Sequence, residues 1–149
     1  MLNFVNGAPF APGRARYFDH DTDPREGTGK IFVRIIPQGI DAPILAQLDT
    51  GAAWSVLNAE IAEELGLLNG DGEPTRLSTR RGSISGRLES ATFRIVAEEG
   101  RSLEVEAIVF VSPEWTEQTF LGYAGLLERI RFGVDPQAND FYFGGYDGA

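Results

Sequence analysis

From Thr75 to Pro113 the chain reads "TRLSTRRGSISGRLESATFRIVAEEGRSLEVEAIVFVSP". Leu103, Val105, Ala107, Val109 and Val111 recur at every second position and share one face of an extended strand. Phe93 and Ile95 alternate with Thr92 and Arg94 in the same way. Gly82 and Gly86 are expected to bracket a hairpin tip around Ser83, Ile84 and Ser85, and "EEGR" to turn the chain again. A stretch this long with period-two patterning restricts the fold to one built mainly of β-structure.

The flanking segments agree. "IFVRIIP" is β-branched and aromatic and is closed by Pro37 and Gly39. "PILAQLDT" is a second apolar run, joined to the first through "QGIDA" as a hairpin. "NAEIAEELGLL" has helix features: Asn58 can cap it, Glu60, Glu63 and Glu64 are acidic, and Gly66 can stop it. Ile61, Leu65 and Leu68 share one face at helical spacing. "QTFLG" is a short apolar approach to Gly122, "YAGLLERI" suits one or two helical turns, and "FYFGG" suits a terminal aromatic strand. Residues 1–29 are rich in Gly, Pro, Asp and Arg without periodicity. They read as an irregular N-terminal arm before a domain at 30–149. The expected class is all-β in the main, with one or two short helices.

The chain has 149 residues, the size of one domain, and 42% are apolar, which is enough for a core. It has no cysteine, so disulfides and thiolate chemistry are excluded. That suits a reducing compartment, and a cytoplasmic location is expected. No apolar run approaches the roughly 18 residues of a spanning helix. The first residues lack a basic start leading into an apolar core, so no signal peptide is expected. The net charge of -9 repels nucleic acid and anionic membrane surfaces. It serves solubility and points, for a charged partner, to a cationic one. Only "TRRGSISGR" gathers three arginines closely. His20, the single histidine, lies beside Asp19, Asp21 and Asp23 and reads as a polar loop. No second histidine completes a transition-metal site, and the spacing is not that of a calcium loop, so no metal and no cofactor are expected.

"QLDTGAAWSVL" carries the chemistry. An apolar run ends on Asp49 and then turns sharply through Thr50 and Gly51. A carboxylate at the end of a core strand is costly to desolvate unless something uses it. A nucleophilic aspartate for phosphoryl transfer would have a second aspartate or a lysine close by, and neither is present. Sugar-kinase and actin-like phosphate hairpins need two large lobes, which this length cannot build, and there is no glycine-lysine phosphate loop. Aspartic peptidases place Asp-Thr-Gly after an apolar strand and before a small residue.

"LAQLDTGAAWSVLNAEIAEELGL" resembles the active-site strand, loop and helix of retropepsin-like aspartic proteases. "STRRGSISGRLESATFRI" is similar to that family's flap hairpin. "TFLGYAGLLERIRF" is similar to its second landmark, two apolar residues and a glycine before a short helix. "FYFGG" stands where its terminal strand lies. The order matches from about residue 30 to 146, and "LGYAGLLERIRFGVDPQANDFYFG" looks closer to bacterial single-domain members than to viral ones. The resemblance implies a retropepsin-like acid-protease half-barrel with a flap hairpin.

That resemblance implies an aspartic endopeptidase in which two carboxylates share one proton and one water. The chain has a single Asp-Thr-Gly. Asp41, Asp71, Asp135, Asp140 and Asp147 lack the Thr-Gly that follows Asp49. A homodimer with one Asp49 from each copy is therefore expected. Asp49 would be catalytic, Thr50 would anchor the two loops to each other, and Gly51 would bring its N–H to the carboxylate. Ala52 would keep the loop compact. Gly82, Ser83, Ile84, Ser85 and Gly86 would close over an extended peptide substrate. Trp54 and Trp115 are expected in the core or an interface. Viral members carry polar residues after the DTG-Ala and an arginine after the second glycine. Here the positions hold Ala53, Trp54 and Tyr123, and Arg129 or Arg131 are the candidate substitutes. The alternative to the peptidase is a catalytically weak or silent peptide-binding or dimerisation module of the same fold.

Overall fold

The structure, a computed structural model, describes residues 1–19 and 29–146. Three strands open the chain: β1 (Leu2–Asn3), β2 (Pro9–Ala11) and β3 (Gly13–Arg16). β4 (Ile31–Pro37), β5 (Ile44–Leu48) and β6 (Ser55–Val56) lead to the helix α1 (Ala59–Glu64). β7 (Glu73–Thr79), β8 (Gly82–Ile95), β9 (Glu99–Gly100), β10 (Leu103–Val111) and β11 (Thr119–Leu121) follow. β12 (Arg131–Asp135) and β13 (Asp140–Gly144) close the described chain. Short 3-10 turns lie at Leu67–Asn69 and Leu127–Arg129.

The main sheet has the order β10-β6-β11-β5-β4-β8-β7, and β10 also pairs with β8. That extra pairing curls the sheet onto itself, and the architecture is the expected mainly-β, barrel-like one. β8 makes the closure possible. Its first half pairs with β7 and its second half runs antiparallel to β10, from Arg87↔Val111 to Ile95↔Leu103. The period-two pattern is realised in β10: Leu103, Val105, Ala107, Val109 and Val111 are buried, while Glu104 and Glu106 are exposed. Phe110 is buried as well, although it lies on the opposite face. Its ring occupies the space that a side chain at Gly86 would take, with Cζ at 2.6 Å from where a Cβ would stand.

The helix forms as its sequence indicates. The Asn58 side chain accepts the Glu60 N–H at 2.9 Å, and the chain leaves the helix through Gly66 at φ 73°. Ile61, Leu65 and Leu68 pack against the core. A second, four-stranded sheet has the order β12-β13-β3-β9, and Phe141 and Phe143 of β13 are buried at its centre.

Two expectations need correction, and one strand was not anticipated. Residues 1–19 are not an irregular arm, because β1 pairs with β2, and β3 pairs with both β13 and β9. Residues 131–135, which carry no clear alternation, form β12 through a hairpin with β13. The hairpin of β7 and β8 turns at Arg80 and Arg81, since Thr79 pairs with Gly82. Ser83, Ile84 and Ser85 therefore lie within β8, paired to Ser78, Leu77 and Arg76. Gly82, at φ 112°, serves the turn, whereas Gly86 serves the close approach to β10.

Candidate active site

β5, an interior strand held on both edges, ends one residue before Asp49 and so fixes where it stands. It pairs antiparallel with β4 from Ile31↔Leu48 to Ile35↔Ile44, and parallel with β11 from Thr119↔Ala46 to Leu121↔Leu48. β11 also meets β6 at Phe120↔Val56. It thus lies between the two strands that flank the Asp-Thr-Gly loop and stitches that loop down. The Asp49 N–H donates to the Leu121 carbonyl at 2.9 Å. The Tyr123 and Ala124 N–H groups donate to the carbonyls of Ala52 and Ala53 at 2.8 and 2.9 Å. The Gly122 N–H donates to Oγ of the buried Ser55 at 2.9 Å. No larger residue fits at Gly122, where a Cβ would collide with the Trp54 carbonyl and stand 2.8 Å from the Ser55 nitrogen.

The turn after Asp49 gives its half-buried carboxylate a backbone partner. Asp49 is half-buried, and its Oδ1 accepts the Gly51 N–H at 3.0 Å, as expected of a glycine there. The Ala52 N–H closes the turn onto the Asp49 carbonyl at 3.1 Å. Thr50 and Gly51 are exposed at the rim, and the Thr50 hydroxyl has no hydrogen bond among the described residues.

Asp49 opens onto a cleft of about 830 Å³. Trp54, Trp115 and Phe120 line it from the loop side, and Leu77 and Ile84 from the hairpin. Trp115 is fixed by its indole N–H, which donates to the Gln118 carbonyl at 2.8 Å, and by its contact with the Phe120 ring at 5.6 Å between centroids. Both tryptophans thus line the cleft, and neither is a core residue. Of the expected substrate contacts, Ala52 and Ile84 line the cleft. Gly82, Ser83, Ser85 and Gly86 are not among its lining residues. Their places are taken by Ser78, Thr79, Arg80 and Arg81, which a two-residue turn at "TRRG" would have revealed. Ser85 fastens the hairpin base instead. Its N–H donates to the Glu114 carboxylate at 3.2 Å, and its carbonyl accepts from the buried Ser112 hydroxyl at 2.7 Å.

Neither candidate arginine reaches the loop. Arg129 donates to the Glu106 carbonyl at 2.6 Å, and the Arg131 guanidinium sits over the rings of Phe4, Phe10 and Tyr146. Tyr123 projects beside the loop and is 55% exposed. Other aspartates have local roles: Asp135 accepts the Gln137 N–H, and Asp140 pairs with Arg14 at 2.7 Å. Among the described residues no group of His, Asp and Glu is arranged to hold a metal, and no helix is long and apolar enough to cross a membrane. The polar stretch with His20, Asp21 and Asp23, and Asp147 of the tail, lie outside the described residues.

No family model matches this chain, and no curated protein does. Among solved structures, the crystal structure of a retropepsin-like aspartic protease from Rickettsia conorii superposes with a TM-score of 0.58 at 20% identity, covering 89% of this chain and 98% of that one. The solution structure of the Simian Foamy Virus (mac) protease gives a TM-score of 0.42 at 20% identity, over 63% of this chain and 89% of the other. With its curled sheet, its stitched Asp-Thr-Gly loop and its facing hairpin, this chain has the retropepsin-like fold.

Proposed function

We propose that this protein is an aspartic endopeptidase whose working site is assembled from two copies of the chain, each supplying Asp49, Thr50 and Gly51. One observation carries the reading. A half-buried carboxylate stands at the rim of a tightly held loop and faces a hairpin-roofed cleft, in a chain with a single Asp-Thr-Gly. The exposed Thr50 and Gly51 support it, since an edge left bare in one copy is where a second copy can close on it.

The chemistry follows from bringing two carboxylates together. Two Asp49 side chains about 3 Å apart cannot both carry a charge, so the pair holds one proton between them. The ionised member takes a proton from a water, and the protonated member polarises the scissile carbonyl. The Gly51 N–H, already directed at Asp49 Oδ1, holds that oxygen in place within the loop. An extended peptide would lie between the loop and the hairpin. Ala52 and Ile84 would contact it directly, and the β8 segment from Gly82 to Gly86 would form the back of the roof. Roofing the cleft excludes bulk water while leaving room for the one water that the carboxylates activate.

Cleavage of a peptide library by the wild-type chain beside Asp49→Asn tests the proposal. Cleavage by the wild type alone supports it. Equal cleavage by both removes Asp49 from the mechanism. A second reading, a peptide-binding or dimerisation module, is favoured by Arg129 and Arg131 being engaged away from the loop. Peptide binding by a folded dimer that never cuts would establish that reading.

A further inference from the structure

The tip of the hairpin sets two arginines side by side in an acidic chain, and the fold brings that tip and Asp49 to the same cleft. Arg80 and Arg81 form the turn, and Lys30 lines the same cleft. The turn is fixed by Thr79. Its hydroxyl donates to the Gly82 carbonyl at 2.6 Å and accepts the Arg81 N–H at 3.2 Å. Arg81 is then drawn to the opposite wall, where its guanidinium meets the Glu117 carboxylate at 3.4 Å. Glu114, the other acid on that wall, accepts the Ser85 N–H. The lining cations left without a carboxylate partner among the described residues are Arg80 and Lys30. The one lining acid without such a fastening across the cleft is Asp49 itself.

We infer that the cleft selects peptides with an acidic side chain, Asp or Glu, in the segment covered by the hairpin tip, and that Arg80 is the residue that reads it. This rests on the cleft being the peptide site of the proposed function and adds a substrate class to it. A carboxylate in that segment meets a cation held on a preorganised turn, so little ordering is needed to form the pair. The guanidinium can engage both of its oxygens. The whole-chain charge of -9 points the other way, to a cationic partner. Charges beyond about a Debye length, roughly 8 Å at physiological salt, are screened, and the cleft's own lining balances Lys30, Arg80 and Arg81 against Asp49, Glu114 and Glu117, so the contact with Arg80 decides.

The test uses two synthetic peptides that differ only by Glu or Gln at one position, scanned along the segment. Binding is measured on the full-length Asp49→Asn chain by fluorescence anisotropy, and cutting is measured on the wild type. The Glu peptide should bind more tightly than its Gln twin. Arg80→Glu should lower the Glu-over-Gln ratio roughly fivefold or more, since it turns an attraction into a repulsion. Arg76→Glu, the same charge change on β7 outside the cleft, should leave the ratio as it was. Equal binding of the two peptides at every position overturns the inference. So does a preference that survives Arg80→Glu, or an absence of binding to either peptide. A charge preference lost in Arg80→Glu, with no cutting by the wild type, would retain the inference and defeat the endopeptidase reading.

Discussion

Gly122→Ala should be among the most damaging single-methyl additions to this protein. The added Cβ points at backbone, not at a side chain that can swing away: the Trp54 carbonyl, and the Ser55 nitrogen at 2.8 Å. Relief requires β11 to move away from β6, because Gly122 follows β11 directly and Ser55 begins β6. Overpacking of a tight interior costs about 1–3 kcal/mol. The same movement stretches the Gly122 N–H to Ser55 Oγ bond, now 2.9 Å and buried, for about 1 kcal/mol more. A total near 3 kcal/mol lowers the melting temperature of a domain this size by about 6–12 °C. Thermal and urea unfolding measure it. Ser55→Ala, which removes the acceptor alone, should cost about 1–3 kcal/mol. The two changes should combine to less than their sum, because they act on one contact. A Gly122→Ala midpoint equal to the wild type's would refute the packing of β11 inside the loop, and with it the rigidity claimed for Asp49.

Other outcomes follow from single contacts. Asn58→Ala should cost about 2 kcal/mol in urea unfolding, since Asn58 caps α1 and also donates to the carbonyls of Thr116 and Glu117 at 3.3 and 2.8 Å. Tyr17 is buried, and burial first, then the charges of Asp19 and Asp135, raise its phenol above the usual value near 10. Its contribution to stability is present below the unfolded phenol's range and is lost as pH rises through the folded one. Tyr17→Phe should therefore flatten the alkaline decline in stability, and tyrosinate absorbance in the wild type should lag that of a free phenol. Tyr123→Asp should weaken self-association roughly tenfold or more, by adding a charge beside the proposed two-fold contact. Sedimentation velocity reads that change, and an unaltered dimer would move the contact elsewhere.

Much of the fold was legible because its strands obey period two. β10 shows inward apolar and outward acidic residues without exception through Ala107, and α1 carries both its cap and its stop in the sequence. Asp49 was legible from an apolar approach followed by a glycine turn. The rest was set by pairing, which periodicity does not record. β3 is a strand because β13 and β9 lie on either side of it, although "GRAR" has no β signature of its own. Gly86 was read as bracketing the hairpin tip with Gly82, but its reason is the close approach of β10, whose Val111 carbonyl and Phe110 ring stand where a Cβ would be. Register then moved the turn to Arg80 and Arg81, and that shift changed which residues reach the cleft. Trp54 and Trp115 were indistinguishable in sequence from core residues, because burial of a tryptophan in a core and in a cleft wall draws on the same apolar surface.

The claim that one site needs two Asp49 carboxylates is tested most directly by mixing. Wild-type chain at fixed concentration is titrated with Asp49→Asn chain, and peptide cleavage is followed after subunit exchange. If each site takes one Asp49 from each copy, every mixed dimer is inactive, and cleavage per wild-type chain falls toward zero as the variant is added. Cleavage per wild-type chain that stays constant across the titration would contradict it, because a single chain would then hold a complete site.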